Sequence, residues 1–464
     1  MAERIMGILG RDNPLDDMAS RQVFAGRIDQ GVLAGGPGAY WPDTPADVPQ
    51  LTQAIPDSDR RTVRELAKRV AELAASDANA ERIARATATN GLKPGRPIVW
   101  IHEIPWHEMG IGDELELRCT SDLAREMEQH FRRILYRWAH IQVDTTVESA
   151  FYVEKAFDDT GIGLYVKEET RAVNAGPIIS HHYENQLETE QDLDKVKDPV
   201  ITARPEFDPV RLAAAEDLLG GVMPVKLRGY QIYCPPWDSI ARFRGVEDCL
   251  IDMLDRPEFT HHLIGRFTGA ATARLDQMEA QGLLDFDIPS LHETPHWCDE
   301  LPAPDWDGGR VRYKDVWYRG QAQLFSSASP AMREEYDLNY QRDLMSRCGL
   351  VYYGCCEPLD QFIPYLKTVP NMRKIGVVPW ANLRSSAEQM GGAYVMARKA
   401  NPALLSGRFD AAAIEAEFVE TIEVALEYGC PYEIVLKDLS TVGGTADNLI
   451  QWATIADQVV GRYY

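Results

Sequence analysis

The stretch Gly349 to Asp360, GLVYYGCCEPLD, sets two adjacent cysteines and a glutamate directly behind a run of strand-forming residues. Thiolate and carboxylate both ligate zinc. Cys355, Cys356 and Glu357 at one strand end, with one or two further ligands from elsewhere, would leave a coordination position open for chemistry. Without a metal, one of these thiols beside a cation such as Lys226, Arg228 or Lys399 could be held as thiolate and act as a nucleophile. Adjacent cysteines in a strand point to opposite faces, and ring strain opposes a bond between them. Ordinary packing of buried thiols accounts for such a pair as well.

Other chemistry-bearing residues stand at the ends of β-rich runs: His102 and Glu103, Glu148, Lys226 and Arg228, Asp287 with His292 beyond it, Arg398 and Lys399, and Lys437 with Asp438. Glu148, Lys226 and Asp287 are candidates for proton transfer, and His102, His181, Arg228, Arg398, Lys437 and Asp438 for substrate contacts. Charged strand ends are also commonly solvated loop anchors. His292, Glu293, His296 and Cys298 fall within seven residues, a spacing that could bind a metal locally and equally describes a polar loop. The doublet His181-His182 sits in a predicted hairpin. His261-His262 lies in a helical pattern and reads as packing or surface. Ser329 followed by Pro330 is a helix start.

The elements that must position these groups follow a strand-then-helix rhythm. Residues 1–57, rich in Gly, Pro and Asp, read as an irregular arm. RTVRELAKRVAELAAS and ANAERIARATATNGL then read as two helices, the second ending near Gly91. Candidate strands are RPIVWIHEIPW, VDTTVESAFYV, VMPVKLRG, LLDFDIPS, LVYYGCCEP, KIGVVPW, AYVMARKANP and YEIVLKD. Among the intervening helices, SDLAREMEQHFRRILYRWAHI opens at Ser121 and DAAAIEAEFVETIEVALEYG ends at Gly429. Eight strand runs alternating with helices predict an α/β fold, a (β/α)8 TIM barrel. It would carry an N-terminal helical and irregular extension over 1–90, with the barrel over 91–464. A β-hairpin insertion is expected near 155–210 and a long loop near 291–325. A doubly wound open sheet is the alternative, without the glycine-rich phosphate fingerprint such sheets use. In a barrel the strand C-termini share one mouth, where the residues named above would meet.

Composition narrows the partners. Among 464 residues, 71 acidic against 48 basic ones give a formal charge of −23, which argues against nucleic acid and anionic membranes as partners. No run approaches the roughly 18 apolar residues that span a bilayer, and the opening MAERIMGILGRDNPLDD carries acids where a secretory leader has an apolar run. The expected compartment is the cytoplasm, where the eight cysteines stay reduced.

Four stretches carry a family resemblance: NGLKPGRPIVWIHEIPW, VKLRGYQIYCPPWDSIARFRGVEDCLIDMLDRPEF, FSSASPAMREEYDLNYQRDLMSRCGLVYYGCCEPLDQFIPYL and KIGVVPWANLRSSAEQMGGAYVMARKANPALL. From about Asn90 onward the chain resembles the uroporphyrinogen decarboxylase superfamily, whose other branch holds zinc-dependent, corrinoid-linked and cobalamin-independent methyltransferases. In that branch the fifth strand ends in His-x-Cys-Gly, whose His and Cys bind zinc, and a further cysteine comes from the end of the eighth strand. Cys356 falls on the first cysteine, Gly354 on the histidine, and Lys437 with Asp438 near the second cysteine. Cys355, Glu357, Glu148 or His292 could stand in as ligands. The RQAGRY-type pattern of the decarboxylase branch is absent from WIHEIPWHE.

The resemblance implies a metal-assisted methyltransferase or demethylase. A small methylated substrate would pass its methyl to a corrinoid, folate or thiol, with zinc on Cys355, Cys356 and Glu357 and a corrinoid protein as partner; separately, the irregular N-terminal arm could wrap a neighbour and make a homodimer. Two alternatives remain open. One is a metal-independent decarboxylase or lyase that holds a small carboxylate with Lys226, Arg228 and Arg398 and protonates through Asp287 or Glu148. The other is a non-catalytic binding subunit.

Overall fold

The computed structural model describes residues 54–110, 112–172 and 179–464. Its centre is a seven-stranded, wholly parallel sheet: β1 (Ile98–Ile101), β2 (Ile232–Cys234), β3 (Trp317–Gly320), β4 (Leu350–Tyr353), β5 (Met372–Val377), β6 (Val395–Lys399) and β7 (Tyr432–Leu436), in the order β1-β7-β6-β5-β4-β3-β2. Each parallel step requires a crossover. Helices supply most of them, including Asn339–Arg347, Leu383–Met390 and Ala411–Tyr428; the last ends at Gly429 with φ 68°, the left-handed value glycine tolerates.

The sheet is curled. Flat, β3 and β7 would stand about 19 Å apart at about 4.8 Å per strand. Yet Arg319 of β3 and Lys437, just beyond β7, both contact Glu293 Oε1, at 3.2 and 2.5 Å. The strands therefore wrap around that carboxylate in a barrel-like arc. Among the described residues, β1 and β2 do not pair with each other. Beside β1, Asp144 donates its amide to Val99 O at 2.9 Å and accepts from Val99 N on Oδ2 at 2.8 Å. Just before β2, Tyr230 forms an isolated parallel bridge with Leu284.

Three of the eight expected strand runs lie elsewhere. Within VDTTVESAFYV and VMPVKLRG, Phe151–Glu154 and Val225–Arg228 pair in parallel with each other, outside the main sheet. They share a separate apolar core with Val63, Leu66, Met127 and Phe131. LLDFDIPS contributes the single bridge at Leu284. The sheet instead uses IYC at 232–234 and WYRG at 317–320, the latter inside the stretch expected to be loop. The expected hairpin insertion is present as Glu168–Ala172 against Ile179–Tyr183. The irregular arm falls almost wholly within residues 1–53, outside the described residues.

A two-residue hairpin enters the hollow of the sheet. Ser290 and Leu291 pair antiparallel with Pro295 and Thr294, leaving His292 and Glu293 at the tip with φ of 22° and 89°. Positive φ at both central residues suits such a turn but costs of order 1–3 kcal/mol at a non-glycine residue. The contacts of Glu293 offset that cost. Among the described residues, no helix is long and apolar enough to cross a membrane.

Candidate active site

Strand alternation decides which side chains face inward. Along β7 and its extension the inward set is Glu433, Val435 and Lys437. Glu433 meets Lys374 of β5 at 2.9 Å, and Val435 packs with Ile98 and Trp100 of β1. On β6 the inward residue is Lys399; on β4, Tyr352; on β3, Arg319. All four converge on Glu293, which is fully buried. Its Oε2 lies 2.6 Å from Lys399 Nζ and accepts from Tyr352 Oη at 2.8 Å, and Lys399 also donates to Tyr352 Oη at 2.7 Å. Burial disfavours the Glu293 charge, but Lys399, Lys437, Arg319 and His292 overcome it and hold the carboxyl well below the usual range.

The two thiols sit above this carboxylate. Gly354, at φ 116°, breaks the alternation after β4. The sulfurs of Cys355 and Cys356 therefore lie 3.4 Å apart instead of on opposite faces. Lys437 Nζ donates to Cys355 Sγ at 2.8 Å and to Cys356 Sγ at 3.2 Å. Cys356 Sγ donates to Asp438 Oδ2 at 3.1 Å. Burial opposes the Lys437 ammonium, yet Cys355, Glu293 and Asp438 around it raise its pKa well above the ordinary lysine value. Burial first, then the hydrogen bond with Cys356 and the Glu293 charge, push the Cys355 thiol well above the cysteine range. Cys355 is thus buried, with Cys356 half-buried beside it. At the rim Asp438 is 49% exposed, and Trp380, 60% exposed, donates its indole N–H to Cys356 O at 3.1 Å.

Two histidines line the same hollow. The His102 ring lies 5.6 Å from that of His292, edge-on, and the His292 ring lies 4.9 Å from that of Tyr233. Burial lowers His102 to about 3 and His292 well below the usual value. His292 Nε2 lies 3.8 Å from Cys355 Sγ.

The sequence-derived candidates therefore separate. His102, Cys355, Cys356, Lys437 and Asp438 come together. Glu357 is turned away, its carboxylate accepting from Ala322 N at 3.0 Å and Cys355 N at 3.1 Å, so it braces the turn and offers no free oxygen toward the sulfurs. Arg398 is one residue out of phase with Lys399: it faces outward, donating to Val378 O at 2.6 Å with Glu417 of helix Ala411–Tyr428 at 3.6 Å. Glu148 pairs with Arg228, Arg228 stacks 3.4 Å over Tyr152, and Tyr152 donates to Asp287 at 2.8 Å, a separate network. Lys226 is exposed. These placements do not gather Lys226, Arg228 and Arg398 around one carboxylate. His181 belongs by its backbone to the hairpin strand Ile179–Tyr183, and its side chain lies outside the described residues. Arg319 and Tyr352 were not singled out as site residues, and Glu293 was named only within the cluster His292, Glu293, His296 and Cys298, where a histidine beside an acid gave the local signal.

His292, Glu293 and Cys355 form a group that could hold a metal ion, their donor atoms all within 4.8 Å of one another. The nitrogen, oxygen and sulfur set suits zinc. Lys437, however, is hydrogen-bonded to two of the three donors, and Arg319 and Lys399 sit on the same carboxylate. With three cations around it, the arrangement does not fit a dication while the ammonium stays in place.

Glu103, buried near this centre, accepts from Leu439 N at 3.1 Å; burial, aided by Asp438, raises it to about 7. The native state therefore holds a proton that the unfolded chain loses near pH 4.3. Between about pH 4.3 and 7 the folded protein binds more protons, so the contribution of Glu103 to stability falls as pH rises through that window. Glu103→Gln should flatten this part of the stability profile in urea titrations at successive pH values.

No protein-family model matches the sequence, and no curated protein matches it. Among solved structures, a methyltransferase from Methanosarcina mazei superposes with a TM-score of 0.43 at 10% identity, over 81% of this chain and 98% of that one. A likeness of that degree carries no argument about fold or activity, so the functional reading rests on the site itself.

Proposed function

We propose that the protein is a group-transfer enzyme of the methyltransferase type that works through the thiol of Cys356. The observation that supports this reading is the Lys437 ammonium, anchored on Glu293 at 2.5 Å and directed at both sulfurs. A fixed cation beside a sulfur stabilises negative charge there, and a second, neutral thiol at 3.4 Å can donate to it. Asp438 Oδ2, at 3.1 Å, receives the Cys356 proton. The sulfur then attacks a methyl carbon of a small substrate. The S–C bond forms, the bond from methyl to its O, N or S breaks, the electron pair leaves on that heteroatom, and the proton on Asp438 passes to it. In the second half-reaction an acceptor takes the methyl carbon as the S–C bond breaks and its electron pair returns to the Cys356 sulfur; a corrinoid, a folate or a thiol held at the same rim would be such an acceptor. Trp380 offers an aromatic face to either reactant.

The test is alkylation of the native protein with iodoacetamide at pH 7, followed by peptide mass mapping. Cys356 should react first, and Lys437→Gln should slow it by about tenfold or more, the loss of one hydrogen-bonded charge being worth roughly 1.5–3 kcal/mol. Methyl transfer from a small S-methyl donor to an added thiol should disappear in Cys356→Ala. A Cys356 that reacts no faster than an unfolded cysteine, or is indifferent to Lys437→Gln, overturns the proposal.

A further inference from the structure

Lys437 stands beside three donor atoms, from His292, Glu293 and Cys355, that lie within 4.8 Å of one another, with Cys356 Sγ next to Cys355 as a fourth. His292 Nε2 lies 3.4 Å from Glu293 Oε1 and 3.8 Å from Cys355 Sγ, and Cys355 Sγ lies 3.4 Å from Cys356 Sγ. Around a tetrahedral ion with bonds of about 2.0–2.3 Å, neighbouring ligand atoms are about 3.3–3.8 Å apart. The lysine uses the same shell: its three N–H groups find Glu293 Oε1, Cys355 Sγ and Cys356 Sγ at 2.5, 2.8 and 3.2 Å.

We infer that the Lys437 ammonium occupies a latent site for a soft divalent metal, formed by His292, Glu293, Cys355 and Cys356, so that this chain carries a covalently fixed cation where an exchangeable one would sit. A tethered ammonium excludes the ion in two ways. It takes up a lone pair on three of the four donors, and it sets a like charge beside any ion those donors would hold. Removing Lys437 undoes both effects. Glu293 keeps Arg319 and Lys399 as partners at 3.2 and 2.6 Å, so its charge is not orphaned.

The experiment is a titration with Co2+ under reducing conditions, read as thiolate-to-cobalt charge-transfer absorption and as metal retained after gel filtration. Wild-type protein should retain well under about 0.1 equivalent, and Lys437→Ala and Lys437→Gln about one equivalent each, the stoichiometry of a single closed site. Adding His292→Ala to the Lys437→Ala variant should abolish retention, which separates this site from adventitious binding by exposed thiols. Retention of about one equivalent by wild type, or none by a Lys437 variant whose circular dichroism and unfolding transition are native, overturns the inference. Should neither variant fold, the wild-type arm decides alone: exclusion of Co2+ supports the inference and retention overturns it. Neither readout involves turnover, so failure here and failure of thiol-based transfer are distinguishable.

Discussion

Glu293→Ala is expected to cost about 3–5 kcal/mol, the range for removing one partner from a buried ion cluster and leaving the opposite charge uncompensated. Three cations, Arg319, Lys399 and Lys437, lie within 2.5–3.2 Å of its two oxygens, and all are essentially sealed from water. The loss would also release the hairpin tip, whose two positive φ values then have no compensating contacts. Urea unfolding of wild type and variant measures the difference. A change below about 1 kcal/mol, the size of a surface effect, would mean that Glu293 does not organise the interior. The pH dependence carries the opposite sign to that of Glu103. The folded-state pKa of Glu293 is depressed, so its contribution is fully present above the unfolded value of about 4.3 and is lost only as pH falls through the much lower folded value. The cluster should therefore survive mild acid.

The second large effect is expected at Gly354. A Cβ there would lie 2.5 Å from Leu359 Cδ1 and 3.2 Å from the Gly376 backbone, at a φ of 116° that side chains rarely adopt. Backbone strain and overpacking each cost about 1–3 kcal/mol, so Gly354→Ala should lose about 2–5 kcal/mol. Because this residue turns both sulfurs to one side, the variant should also lose the rapid alkylation of Cys356. Gly95→Ala, where the added methyl meets nothing within 4 Å, is the control and should stay within about 0.5 kcal/mol. Equal effects at the two positions would remove Gly354 from the account.

How much of this was readable beforehand varies along the chain. β4 to β7 are contiguous apolar runs closed by polar residues and followed by helices, so local pattern suffices. β2 and β3 are three and four residues long, and β3 carries an arginine whose partner lies on a distant hairpin. Nothing local marks such a strand. Arg398 and Lys399 illustrate a different limit. A strand buried on both faces lacks the polar alternation that fixes which parity points inward, and the sequence cannot choose between neighbours. Cys356 and Lys437 were legible as strand-end residues on adjacent mouths, but the contact between them is long-range. Glu293 was least legible because its tip has none of the Asn-Gly chemistry that announces a two-residue turn.

The missing ladder between β1 and β2 has one further meaning. Within the arc each neighbouring pair of strands is joined by a main-chain ladder, whereas β1 is flanked by Asp144, which bonds Val99 through its amide and its carboxylate, and β2 is preceded by the isolated bridge of Tyr230 with Leu284. Openings of low free energy belong where few backbone bonds must break. Among the described residues such openings therefore belong at the two unpaired sheet edges, β1 and β2, beyond the four strands whose residues grip the carboxylate.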